Sequence, residues 1–168
     1  SKVLKIKITK NQEILIKSPF IMKGYVTENG KIQKPKLKND FFLTGDLGSY
    51  DQGILHYYGR KKEIIKVGGE LISLTIIENI VYKSNIVNEC AAVGNPSLIA
   101  GEELVLFVIF KIKKNINNEI TKLYKNLKKN LRAIELPKKI IPISDMPKTK
   151  SGKIIKKKLL DLYTLNHV

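Results

Sequence analysis

The apolar residues of this chain change their spacing near Arg60, and that change decides most of what the chain can fold into. Upstream, Leu4, Ile6 and Ile8 alternate with Lys5 and Lys7, the period of two that marks a strand. Asn11-Gln12 can turn the chain into a second short strand, Ile14 to Lys17. Thr27 to Asp40 holds Lys, Gly and Pro and reads as a loop. Phe41-Phe42-Leu43 reads as a buried strand, with a turn expected across Gly45-Asp46-Leu47-Gly48 and another strand from Gly53 to Tyr58. Such a β unit is too short to bury a good core by itself and is expected to lean on further upstream sequence. The chain opens with Ser1 rather than Met, which reads as a cut or expressed fragment.

Beyond Arg60 the period alternates between two and 3.6. Glu63-Ile64-Ile65 and Leu71-Ile72 flank Gly68-Gly69, a hairpin signal. Thr75 and Glu78 have capping-box spacing, with Leu74, Ile77 and Val81 on one helical face. Val87 to Val93 and Leu104 to Phe110 are apolar strands, with a Gly-Asn-Pro loop expected between them. Ile120, Leu123, Tyr124, Leu127 and Leu131 recur at helical spacing, and Asn117 or Asn118 can cap that helix. Lys139 to Ile143 is a short strand, Pro147 to Lys153 a polar loop, and Ile155 and Leu159 begin a last helix. The order ββαββαβα predicts an α+β domain: a β-hairpin and a three-stranded sheet packed by helices.

Composition narrows the chemistry. Of 168 residues 43% are hydrophobic and 27% charged, a globular balance that argues against disorder and collagen-like structure. No apolar run approaches the ~20 residues of a membrane-spanning helix. Cys90 is the only cysteine, and His56 and His167 are the only histidines, so an intrachain disulfide and a His/Cys metal cage are excluded; no metal site is expected. The opening residues carry no signal-peptide apolar stretch, and a reducing, cytoplasmic setting is expected. The net charge of +16 invites a nucleic-acid reading. From Lys111 to Val168 there are 16 basic residues against 4 acidic ones. That half lacks interleaved aromatics on which bases could stack, and its lysines fall mostly on polar helix sides. A solvated face is therefore the better reading, and no nucleic-acid partner is expected. Only Arg60 and Arg132 are arginine, so the chain is strongly biased to lysine.

Four segments carry chemistry-bearing residues. In Thr44-Gly45-Asp46 a carboxylate beside a glycine can accept two hydrogen bonds from a ribose diol, or can satisfy its own turn. In Gly59-Arg60-Lys61-Lys62-Glu63 the arginine offers a planar fork that an ammonium cannot replace; Arg132, read as lying on an ordinary helix, weakens that inference. Val67-Gly68-Gly69-Glu70 allows positive φ and close approach of a ligand to backbone. In Pro147-Lys148-Thr149-Lys150-Ser151-Gly152-Lys153, Gly and Ser give a mobile loop able to deliver the Lys153 charge to an anion. Ile154 after that lysine excludes a GxxxxGK[ST] phosphate loop.

The order and spacing of these segments resemble the adenylate-forming acyl-CoA synthetase superfamily, also called AMP-dependent synthetases or ligases. The resemblance rests on TGD at 44–46, GRKKEIIKVGGELIS at 59–73, an IEN helix and PKTKSGKI at 147–154. It extends upstream to Lys17-Ser18-Pro19 and Met22-Lys23-Gly24-Tyr25 and so spans nearly the whole chain. It implies that residues 1–61 are the β-rich end of a large amino-terminal adenylation domain and residues 62–168 a mobile carboxyl-terminal domain. It implies an ATP-dependent ligase that forms an acyl-adenylate and then an acyl thioester, with coenzyme A as cosubstrate and Mg2+ held by the missing part of the parent. Lys153 would be catalytic, Asp46 and Arg60 would bind ATP or AMP, and Lys62 would be the hinge. Lys66, Gly68 and Gly69 would serve the thiol tunnel and the second half-reaction.

Three features depart from the usual pattern: Lys156-Lys157-Lys158 stands where arginines are usual, Thr75-Ile76-Ile77-Glu78 lacks a proline, and Glu70 follows the glycines. The implied partners are a carboxylic acid, as in fatty acid metabolism, coenzyme A, and the missing amino-terminal domain. The fragment alone is expected to be inactive, since the family's phosphate loop and acid pocket are absent from it. A ligase serving a carrier protein's phosphopantetheine arm is the alternative, with a basic nucleic-acid-binding module behind it.

Overall fold

The chain divides after Lys62 into two units, Ser1–Lys62 and Glu63–Val168, in a computed structural model that describes residues 4–112 and 114–165. Ser1 and His167 lie outside the described residues.

The first unit is all β. Strands β1 (Lys5–Ile8) and β2 (Glu13–Lys17) form the expected hairpin around Asn11-Gln12. The segment read as a loop holds three two-residue strands, β3 (Tyr25–Val26), β4 (Ile32–Gln33) and β5 (Leu37–Lys38), of which β3 and β4 pair with each other. Strand β6 (Phe41–Asp51) runs straight through Gly45 to Gly48, where a turn is expected from the glycines. It can do so because it has partners along its whole length. Its first half pairs with β2 and β5, and its second half pairs with β7 (Ile54–Arg60). The glycines are accommodated by a register shift between Leu47 and Gly48. Ile14, Leu15, Phe41 and Leu47 are buried apolar side chains of this unit.

The second unit has the predicted order. A single turn of 3-10 helix, Lys61–Glu63, precedes the hairpin β8 (Ile64–Val67) and β9 (Glu70–Ser73). Helix α1 (Leu74–Lys83) follows without a loop. Strands β10 (Val87–Ser97) and β11 (Gly101–Phe110) pair antiparallel, and β12 (Lys139–Pro142) joins β11 in parallel after helix α2 (Ile116–Asn130). Helix α3 (Lys156–Leu165) ends the described chain. The hairpin joins the three-stranded sheet through one pairing, Val67 with Gly101.

Alternation along β11 sets the core. Leu104, Leu106, Val108 and Phe110 face one side with Ile77 and Val81 of α1 and Leu123 and Leu127 of α2. Val105 and Phe107 face the other side with Met146 and with Leu159 and Tyr163 of α3. Val87 shares its face with Cys90 and Ala92 despite the odd spacing, because a bulge intervenes between Val87 and Glu89.

Three local expectations fail for identifiable reasons. Strand β10 continues through Gly94-Asn95-Pro96, and the turn falls at residues 98–100. β10 is an edge strand in this sheet, so the missing proline N–H breaks no ladder. Thr75 and Glu78 form no capping box, since the N-cap is Ser73 and it makes no side-chain hydrogen bond. The hairpin feeds directly into the helix, so Thr75 is already inside it. Helix α2 is capped by Asn115, not Asn117 or Asn118: its side chain accepts from the Asn118 N–H at 3.3 Å. Asn115 has φ of 54°, a left-handed conformation that Asn tolerates. Replacing it therefore tests cap and backbone separately. Asn115→Ala is expected to cost about 1–3 kcal/mol, combining the lost cap with left-handed strain, while Asn115→Gly costs only a few tenths. Denaturant midpoints at constant m-value check this, and equal losses in the two variants would refute it.

Candidate functional site

In the first unit the geometry gathers around Asp46. The β6–β7 register sets Asp46 opposite Arg60. Arg60 Nε lies 3.0 Å from Asp46 Oδ1, and Arg60 Nη1 donates to the Thr44 carbonyl at 2.7 Å. Asp46 does not satisfy its own turn. Its backbone N–H donates to Thr44 Oγ1 at 3.0 Å, and the Thr44 hydroxyl donates to the Ile14 carbonyl at 2.7 Å. The approach of Arg60 to Oδ1 is an ion pair without hydrogen-bond alignment, so this buried oxygen has no hydrogen-bond partner. A buried carboxylate oxygen in that condition is an acceptor waiting for a donor. Thr44, which positions the pair, carried no chemical signal in the sequence beyond its place beside the glycine.

In the second unit Gly68 and Gly69 form a two-residue turn with φ of 54° and 92°. Two successive positive φ values define the type I′ turn that matches hairpin twist, and glycine adopts both at the least cost. The turn is tied down on both sides. The Gly68 N–H donates to the Ala100 carbonyl at 2.9 Å, and the Lys66 N–H donates to Glu102 Oε2 at 2.8 Å. The Lys66 side chain is exposed. Arg132 is not on an ordinary helix: it follows α2 and reaches Glu70 at 2.6 Å and Glu135 at 3.0 Å. Burial raises the Glu135 pKa, but the hydrogen bonds and charge of Arg132 outweigh it and hold the carboxyl below its usual range.

The Pro147–Lys153 segment is a small closed hairpin. Lys148 bridges Ile154, the Thr149 N–H donates to the Lys153 carbonyl at 2.8 Å, and the Ile155 N–H donates to the Pro147 carbonyl at 2.7 Å. Lys153 is exposed and borders an open groove of about 450 Å³ with Glu63, Glu78, Cys90 and Lys156. Burial pushes the Cys90 thiol up to about 12, with the Glu78 charge adding to it, so this cysteine is a packing residue and not a nucleophile. Lys62 is exposed and is the last residue of the first unit.

Sequence reasoning missed Lys156. Its ammonium lies 2.5 Å from Glu63 Oε2 and 2.9 Å from Glu78 Oε1. Burial alone would lower its pKa, but the hydrogen bonds to both glutamates outweigh that and raise it. A signal existed for Glu78, which lies four residues after Leu74 and three before Val81, on the rim of the buried helical stripe. Among the described residues no three His, Cys, Asp or Glu side chains could hold a metal ion. The resemblance places Mg2+ on the missing part of the parent, outside these residues.

Residues 76–153 match the family described as AMP-binding enzyme C-terminal domain. The chain is 37% identical over 165 residues to a probable peroxisomal acyl-activating enzyme 12 of Arabidopsis thaliana, covering 89% of this chain and 27% of that protein. It is 33% identical over 160 residues to a 2-succinylbenzoate–CoA ligase of Listeria monocytogenes, covering 95% and 33%. Among solved structures it is similar to ATP-bound MatB from Rhodopseudomonas palustris, with a TM-score of 0.69 at 25% identity over 99% of this chain and 35% of that one. The chain thus spans about a quarter to a third of the length of these relatives. It belongs to the adenylate-forming acyl-CoA synthetase superfamily.

Proposed function

We propose that the protein carrying this chain is an ATP-dependent acid–thiol ligase. In the first half-reaction a substrate carboxylate oxygen attacks the α-phosphorus of ATP, forming the acyl-adenylate and expelling pyrophosphate. In the second, a thiol sulfur attacks the acyl carbon, gives up its proton and expels AMP. The observation that carries this reading is the buried Asp46 Oδ1 with no hydrogen-bond donor, held beside the Arg60 fork. A ribose diol supplies two hydroxyl donors to such a carboxylate. Asp46 and Arg60 bind the nucleotide, and Lys153 contributes one cation to the crowded negative charge of the first transition state. The Gly68-Gly69 turn lines the path of the thiol, with Lys66 beside it. Coenzyme A supplies the thiol, in keeping with the CoA ligases among the relatives.

A carrier protein's phosphopantetheine arm is the second reading. Lys122, Lys125, Lys128 and Lys129 present an exposed basic face on α2 that suits an acidic partner. Pyrophosphate release measured across a panel of aliphatic and aryl acids tests the ligase reading, and no release with any acid would sink it. Thioester formation with coenzyme A, against a carrier protein at two salt concentrations, separates the two acceptors.

Lys153→Ala is expected to slow pyrophosphate release by ~10²–10³ while thioester formation from supplied acyl-adenylate changes far less, since one transition-state cation is lost. Equal losses in both half-reactions would mean that Lys153 serves both states or only the fold.

The hinge is assigned to Lys62, where the chain passes from one unit to the other. Proline fixes φ near −65° and restrains the preceding residue, here Lys61. Lys62→Pro should trap one domain orientation, so that adenylation survives and the thiol step collapses. Undiminished thioester formation in a folded Lys62→Pro protein would place the hinge elsewhere.

A further inference from the structure

Four lysines stand at 148, 150, 153 and 156, and the structure treats them differently. Lys148 Nζ lies 2.7 Å from Glu89 Oε2 on β10. Lys156 Nζ is held by Glu63 and Glu78, and Glu78 Oε1 also accepts the Ala92 N–H at 2.8 Å. Between these two anchored lysines the chain closes into its hairpin, with the Gly152 N–H donating to the Thr149 carbonyl at 2.9 Å. Gly152, at φ of 83°, supplies the left-handed residue of that turn. Lys153 sits on the closed hairpin, exposed, three residues from Lys156.

The partners of Lys156 come from separate places. Glu78 lies in the middle of α1 and is fixed to the sheet through Ala92. Glu63 is the first residue of the second unit, directly after Lys62. One ammonium therefore joins the start of α3, the body of α1 and the residue at which the second unit begins. All three side chains are mostly buried, with relative exposures of 28% for Lys156, 24% for Glu63 and 18% for Glu78. Shielding of this degree leaves these ion pairs less screened by salt than exposed ones.

We propose that Lys156 is a positioning residue for Lys153. It pins the carboxyl-terminal root of the hairpin to Glu63 and Glu78, so that the Lys153 arm and the residue after the hinge move as one piece. Lys148 and Glu89 pin the opposite root. The role assigned to Lys153 rests on the ligase reading above; the pinning itself does not. Misplacement of a catalytic group by about 1 Å costs up to ~10² in rate, so a loosened root is felt in catalysis without any loss of nucleotide affinity.

Lys156→Met alone leaves two glutamates facing each other and risks misfolding. The informative variant is Lys156→Met/Glu63→Gln/Glu78→Gln, which removes the cation and both anions together. In the protein that carries this chain, this variant should remain folded. Its Thr149, Gly152 and Ile155 amides should exchange with solvent at least ~10-fold faster, while β11 amides keep their protection. Its kcat for pyrophosphate release should fall about tenfold or more, with the KM for ATP within about twofold. Lys156→Arg, which still reaches both carboxylates, should retain both properties. Parental exchange at Thr149 and Gly152 in a folded triple variant would overturn the proposal, and so would an unchanged kcat. A parent that releases no pyrophosphate with any acid would instead remove the ligase reading, and the exchange rates would still decide whether Lys156 pins the hairpin.

Discussion

Strand β11 is apolar on both faces, and neither face can be left in water. Leu104 to Val108 are each no more than 2% exposed. Full burial of one such side chain contributes ~1.5–3 kcal/mol, so an uncovered face would forfeit several times that amount. Helices α1 and α2 cover one face and α3 covers the other. This is the arrangement expected for a strand written as a continuous apolar run and not as an alternation. The hairpin β8–β9 adds the buried Ile65 and Ile72 to the face covered by α1 and α2, and it joins the sheet through a single residue pair.

The position of the Lys153 hairpin follows from that packing. To place Leu159 and Tyr163 against Val105 and Phe107, the chain must cross from the end of β12 to the start of α3. The crossing is the segment that carries Lys153. Lys156, Leu159 and Tyr163 are spaced at three and four residues, so the helical phase that buries the two apolar side chains also turns Lys156 toward α1. An ion-pair anchor and a hydrophobic anchor thus share one helix. Exposed pairs contribute ~0–1 kcal/mol at most, and the value of pairs such as Lys148–Glu89 lies in geometry more than in stability.

Charge type is used selectively in a chain so biased to lysine. Each of the two arginines engages two groups: Arg60 donates to the Thr44 carbonyl and forms an ion pair with Asp46, and Arg132 reaches Glu70 and Glu135. A planar guanidinium can address two groups with separate N–H bonds. Lys156 also serves two carboxylates, but they approach one nitrogen from different elements, a geometry that a compact ammonium meets. The arginine-rich ending usual for the superfamily is therefore not required for this anchor.

Much of the fold was legible along the chain, because side-chain period is a local property. The alternation of strands and helices after Arg60, the apolar stripe of α2 and the Gly68-Gly69 turn are all written in spacings of two to four residues. Asp46, Arg60 and Lys153 stand out along the chain as chemistry-bearing candidates through their order and spacing. Partner choice was not legible. Asp46 faces Arg60 only because β6 continues past its glycines into a hairpin, and β10 carries Pro96 only because it lies at a sheet edge. Glu78 has the spacing of a helix cap, yet its carboxylate binds Ala92 and Lys156. Glu63 and Lys156 are 93 residues apart in sequence and touch only once the fold has brought the entry to β8 and the start of α3 to the same groove. The sequence by itself determined the main strands and helices and the Gly68-Gly69 turn, but not the passage of β6 through Gly45–Gly48 or of β10 through Gly94-Asn95-Pro96. Only the tertiary structure decided which charges would meet, since that depends on which faces of distant elements must be buried together.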